Sequence, residues 1–232
     1  MDQEKLVVAV LIADGVTASD AVNPAEALAV IPGVAVRFVG PEKGPKRTFP
    51  GPFQLVAEYT FEEIPHPDVI VVPADQSSMA DERTLAWLRS AHETARWTTS
   101  VCAGAITLAA AGLLTGRKAT THWMARGLLG AFGATYVAKR WVQDGNILTA
   151  AGNSAGIDMA LFLSAELGGP EVARAVQLGM EYDPQPPFDS GSLAKAGPDT
   201  AALTVKLMTA AMVEAGSPPE QVALLAQAGA AD

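Results

Sequence analysis

Short, almost unbroken apolar runs alternate along the chain with longer stretches in which apolar residues recur at helical spacing. Leu6 to Ile12, Val34 to Val39, Val69 to Val72, Trp97 to Val101 and Asn146 to Ala150 consist largely of Val, Ile, Leu and Ala. Strands covered on both faces need that composition. Helices are expected between them. One opens at Asn23-Pro24, with Asn as cap and Pro in the first turn, and runs to Ile31. A second spans about Asp81 to Arg96 with Leu85, Leu88 and Ala91 inward. Ala103 to Leu113 reads as a third and His122 to Phe132, stopped by Gly133, as a fourth. A fifth is capped by Asn153 or Ser154 and runs to Leu167, before Gly168-Gly169-Pro170. Gly44 to Phe61, rich in Pro and Phe, reads as a β-excursion, and Asp144-Gly145 between apolar flanks predicts a hairpin. Strands alternating with helices predict an α/β domain: a parallel sheet with helices on both faces.

Past Tyr182 the pattern changes. Asp183 to Ser192 is an irregular Pro-rich crossing, followed by two Ala-rich helices. Ser217-Pro218-Pro219-Glu220 announces the last of them as a capping box, with Ser at the cap and Pro at the first helical position. The chain therefore divides into a domain over residues 1–192 and a helical extension over 193–232, expected to pack on its own domain or on a twin subunit.

Composition narrows the class. Apolar residues make up 49% of the 232, yet Asp, Gly and Pro interrupt every run well short of the roughly 18 residues that span a bilayer. The N-terminus lacks a basic region before its first strand, so a cytoplasmic protein is expected. A formal net charge of −9 disfavours nucleic acid or an anionic membrane as partner. His66 and His92 have no metal-ligand spacing with each other or with Cys102, and His92 is expected on an exposed helix face. No phosphate-binding glycine motif is present either, so neither metal nor organic cofactor is expected.

The one cysteine, Cys102, stands where the strand Trp97 to Val101 passes into the helix from Ala103. Such a junction is a nucleophile elbow: the side chain projects past the sheet edge beside unpaired helix N–H groups that favour a thiolate. Gly104 is small enough for the tight turn. On these residues alone, Cys102 is either that nucleophile or an inert core cysteine.

Ser100 to Ala105, together with Ala111 to Trp123, resembles the ThiJ/PfpI superfamily of glutamine amidotransferase-like folds. Further matches are Asp14 to Asp20 with Asn23-Pro24, Asp144 to Asn146, Ala155 to Leu161, and Gln177-Leu178 with Glu181 to Phe188, so the resemblance covers roughly residues 6–192. It implies a flavodoxin-like three-layer sandwich and a homodimer. Within the superfamily the chain looks most like the isocyanide hydratases. The sensor domains of some transcription regulators are also similar, but forty residues with few cations after Ser192 leave no room for a helix-turn-helix module.

The resemblance implies that Cys102 is the nucleophile and Asp20 the neighbouring acid; without it, Asp20 reads first as a helix-capping residue near Asn23. His122, at a helix start, is then a candidate to orient water or close the pocket, and Trp123 and Trp141 are candidates to line it. Two departures stand out. Ala74-Asp75 replaces a Gly-Gly that would aim a backbone N–H at developing negative charge, and the Asp75 carboxylate is expected to raise the thiol pKa. Ala103 occupies a position where hydratases carry a hydroxyl. The implied activity is cofactor-free hydration of a small-molecule isocyanide. The alternatives are a glyoxalase- or deglycase-like enzyme acting on α-oxoaldehydes, and a redox sensor or ligand-binding protein.

Overall fold

A computed structural model describes residues 5–230. In chain order the first half carries β1 (Leu6–Leu11), α1 (Ala18–Ala29), β2 (Val34–Gly40), β3 (Gly44–Arg47), β4 (Gln54–Ala57), β5 (Tyr59–Thr60), β6 (Val69–Val72), α2 (Glu82–His92), β7 (Trp97–Val101) and α3 (Gly104–Ala110). The second half carries β8 (Lys118–Ala119), α4 (Arg126–Ala131), β9 (Thr135–Tyr136), β10 (Trp141–Asp144), β11 (Ile147–Ala150), α5 (Asn153–Gly168), α6 (Pro170–Gly179), α7 (Leu193–Ala196), α8 (Pro198–Glu214) and α9 (Pro219–Ala230).

Seven strands form one sheet in the order β10-β11-β7-β6-β1-β2-β5, parallel except for the β10–β11 hairpin. β6 contributes four consecutive buried residues and β1 ends in four, which explains their uninterrupted apolar runs. One apolar layer packs α2 and α3 on the sheet through Leu85, Trp87, Leu88, Ile106 and Leu108. On the other face, α1 and α5 pack through Ala21, Ala25, Leu28, Met159 and Leu163. This is the flavodoxin-like three-layer sandwich. The sheet order reverses between β1 and β6, and ligands of open α/β sheets bind at the carboxyl ends of the strands beside such a switch.

Local differences from the expected elements have physical causes. α1 starts one and a half turns early: Thr17 is extended and its carbonyl accepts the Asp20 N–H at 3.0 Å, so Pro24 lies inside the helix. Only one helical bond is lost there, the one Pro24 would have donated to the Asp20 carbonyl. The stretch from His122 divides into a 3₁₀ turn (Trp123–Ala125) and the short α4. His92 is half-buried, its Nδ1 2.8 Å from Thr98 Oγ1, and not on an open face. α6 and α7 are elements the pattern did not announce. Ser217 does not cap α9, because both Gln221 N and Val222 N bond the Pro218 carbonyl and the Ser217 hydroxyl accepts from Gln76 Nε2 at 2.6 Å.

Candidate active site

Cys102 has φ +58, one of two non-glycine residues in the left-handed region among those described. That conformation costs an L-residue roughly 1–2 kcal/mol and persists only where its surroundings impose it. Here they do. The Cys102 N–H donates to the Ala150 carbonyl at 3.0 Å, and the Cys102 carbonyl accepts from Thr121 Oγ1 at 2.9 Å. Next to it, a Cβ on Gly104 would lie 2.0 Å from the Val72 carbonyl oxygen and 2.8 Å from that of Pro73. α3 therefore abuts the end of β6, and only glycine allows the approach. The elbow expected from sequence is present with its strain and its close contact.

Asp20 lies in the first turn of α1 and is fully buried. Its Oδ2 accepts the Ala74 N–H at 3.2 Å. Oδ1 is buried and has no hydrogen-bond partner among the described residues. Burial raises the Asp20 pKa from 3.8 to about 7, against the opposing pull of the Ala74 N–H and the Cys102 thiol. The Cys102 thiol is itself pushed well above its ordinary range, first by burial and then by the Asp20 charge, while the Ala103 N–H pulls the other way. The half-buried thiol and the buried carboxyl group thus compete for protons, and ionisation of Asp20 disfavours that of Cys102. The resting pair is a neutral thiol beside a carboxyl group that titrates near neutrality.

The remaining candidates are distributed around this pair. Ala74 supplies its N–H to Asp20, so the donor that a Gly-Gly turn would aim at developing charge is already engaged. Asp75 corrects an expectation: its Oδ1 accepts from Ser77 N at 2.8 Å and Ser78 N at 2.6 Å, which ties its carboxyl to its own turn. The thiol is shifted by burial and Asp20, with no resolved contribution from Asp75. Ala103 brings no hydroxyl and acts through its backbone N–H. His122 caps the 3₁₀ turn through Nδ1, 3.4 Å from Met124 N. Burial lowers the His122 pKa to about 4, so the ring is neutral at pH 7 and carries its proton on Nε2. Trp123 is half-buried, its ring 5.8 Å from that of His122. Trp141 belongs elsewhere, packed on Phe162 at 4.8 Å within the α5 layer.

Sequence reasoning missed Thr121, which sits among matched residues but shows its role only through its bond to Cys102. It also missed the link between two matched segments. Tyr182 OH donates to Asp158 Oδ1 at 2.7 Å, and Arg140 pairs with the other oxygen of that carboxylate. Gly156 lets α5 approach the elbow strand, since a Cβ there would lie 3.0 Å from Val101 Cγ1. Among the described residues no group of three or more His, Cys, Asp or Glu side chains could hold a metal ion. No helix among them is long and apolar enough to cross a membrane.

Comparison with known proteins places this arrangement. The family model described as DJ-1/PfpI matches residues 7–166. The chain is 47% identical over 185 residues to the isonitrile hydratase of Pseudomonas putida, an alignment covering 78% of each protein. Over 101 residues it is 38% identical to the HTH-type transcriptional regulator CdhR of Pseudomonas aeruginosa, covering 41% of this chain and 29% of that one. Among solved structures, a ThiJ/PfpI family protein from Pseudomonas syringae superposes with a TM-score of 0.82 at 32% identity, covering 98% of this chain and 91% of that one. Drosophila melanogaster DJ-1beta shares the fold with a TM-score of 0.71 at 22% identity, covering 78% of this chain and all of that one.

Proposed function

The chain belongs to the DJ-1/PfpI family, and from that premise we propose that it hydrates isocyanides to N-substituted formamides, with Cys102 as nucleophile and Asp20 as acid. It is an enzyme of the hydro-lyase class, by its 47% identity to an isonitrile hydratase over most of its length. The observation that carries the residue assignment is the half-buried Cys102 thiol at the elbow beside the fully buried Asp20 carboxyl group.

The terminal carbon of an isocyanide accepts a nucleophile readily only if a proton reaches the same carbon, because addition alone leaves a carbanion. Asp20, titrating near 7, can hold and release that proton at neutral pH. Sγ of Cys102 bonds to the carbon as the thiol proton passes to the carboxylate. The carboxyl group then protonates the carbon, giving a neutral thioimidate. Water adds to that carbon, the nitrogen gains a proton, the C–S bond breaks, and the formamide leaves as the thiol is restored. The Ala103 N–H, which favours the anionic sulfur, assists both its attack as the thiol loses its proton and its departure as the C–S bond breaks. Cys102, Asp20 and water supply every proton and electron pair in the sequence.

His122 and Trp123 follow Thr121 past the elbow, and we assign them to shaping the pocket rather than moving protons. The exposed apolar residues Leu203, Leu207 and Val213 of α8 are the surface assigned to a second copy, to be read by sedimentation.

The test is turnover of p-nitrophenyl isocyanide followed by absorbance. Wild type is expected to form the formamide, and Cys102→Ala and Asp20→Asn each to lose at least about a hundredfold in kcat/KM. A wild-type protein that leaves isocyanide untouched but forms lactate from methylglyoxal would replace this reading with the α-oxoaldehyde one.

A further inference from the structure

Gln76 stands two residues past Ala74, the residue that holds Asp20. Its side chain lies across Gly15, where an added Cβ would come within 2.6 Å of Gln76 Cγ. From that position Gln76 Nε2 donates to Ser217 Oγ at 2.6 Å, and the Gln76 carbonyl accepts from Gln221 Nε2 at 3.3 Å. Ser217 closes the end of α8, its N–H on the Met212 carbonyl at 2.9 Å, and is buried. The turn between α8 and α9 is thereby fastened to the loop after β6. α9 also packs along the Trp123–Ala125 turn and α4. That turn follows Thr121, whose hydroxyl holds the Cys102 carbonyl. So α9 rests on two segments, one gripping the acid and the other gripping the nucleophile. The first leaves the central sheet at the carboxyl end of β6, and the second follows β8 of the small β8–β9 sheet and is held to the elbow by the Thr121 bond.

We propose that the C-terminal extension is a working wall of the active site: the Gln76–Ser217 clasp seats α9 at the mouth over Cys102 and Asp20, and so sets the size of the organic group that reaches the thiol. That this group is the substituent of an isocyanide rests on the function proposed above; the wall itself does not. Among the described side chains of α9, Glu220, Ala223, Leu224 and Gln227 are exposed and none is fully buried, so apolar burial holds these positions weakly and the clasp decides their seating. Gln76 and Ser217 are positioning residues, acting through the helix they fix.

Because Cys102 is the only cysteine, alkylation reports access to the site without any substrate. Wild type, Gln76→Ala, Ser217→Ala and the double variant are treated with iodoacetamide and with N-(1-pyrenyl)maleimide. Each single variant is expected to raise the bulky-to-small rate ratio about fivefold, the effect of losing one hydrogen bond. The double variant should go no further than either single one, since both remove the same bond. Ser217→Thr, which keeps the hydroxyl, should restore the wild-type ratio. Relative kcat/KM for 2-naphthyl over tert-butyl isocyanide is expected to follow the same order. An unchanged alkylation ratio in all three clasp variants overturns the wall. A shifted ratio in a protein that hydrates no isocyanide upholds the wall and removes the proposed function instead.

Discussion

Asp20→Asn keeps the side chain's shape and an oxygen for the Ala74 N–H while deleting the buried acid. Burial raises the Asp20 pKa from 3.8 to about 7. A folded state that binds its proton more tightly than the unfolded chain has that stabilisation in full below about pH 4. It loses it as pH climbs through the folded value, at about 1.4 kcal/mol per pH unit in between. From pH 5 to pH 7.5 the wild-type protein should therefore lose about 2.5 kcal/mol that Asp20→Asn does not lose. Urea unfolding of both proteins at those two pH values measures the difference. His92 and His122 titrate in both, so their contributions cancel, and the upper limit of pH 7.5 stays below the range of the raised Cys102 thiol. If the two proteins fall in parallel, within about 0.5 kcal/mol, Asp20 is not held near neutrality in the fold. The role of proton donor to carbon then fails with it.

Gly104→Ala places a methyl group 2.0 Å from the Val72 carbonyl oxygen and should lower unfolding stability by at least about 2 kcal/mol in a thermal or urea melt. Cys102→Gly and Cys102→Ala should both abolish turnover, but the glycine variant should be the more stable by about 1 kcal/mol, because it relieves the left-handed strain at φ +58. Equal stabilities would mean that the elbow imposes no strain. Tyr182→Phe removes the bond to Asp158 and should cost about 1 kcal/mol in urea unfolding, together with faster proteolytic cleavage in the Pro-rich crossing that follows.

Where a signal was local, it could be read from the chain. Runs such as Val69 to Val72 announced doubly covered strands, because burial on both faces leaves no position for a polar side chain. Cys102 and Gly104 marked the elbow for a related reason: a strand-to-helix turn needs a small residue at its closest contact, and a single thiol before it stands out. Signals that compete locally were misjudged. Asn23-Pro24 has the chemistry of a helix start, yet Thr17 and the packing of Ala21 and Leu28 carry α1 past it. Ser217-Pro218 has the chemistry of a cap, yet its hydroxyl goes to Gln76.

By itself, then, the sequence determined the alternation of apolar strands with helices and the place of a lone cysteine at a strand-to-helix turn, each set by spacing within a few residues. Only the tertiary structure decided what that thiol faces. Asp20, Ala74, Cys102 and Thr121 are scattered across a hundred positions and meet at one edge of the sheet. The raised pKa of Asp20 comes from the exclusion of water by that meeting, and no stretch of chain carries it alone.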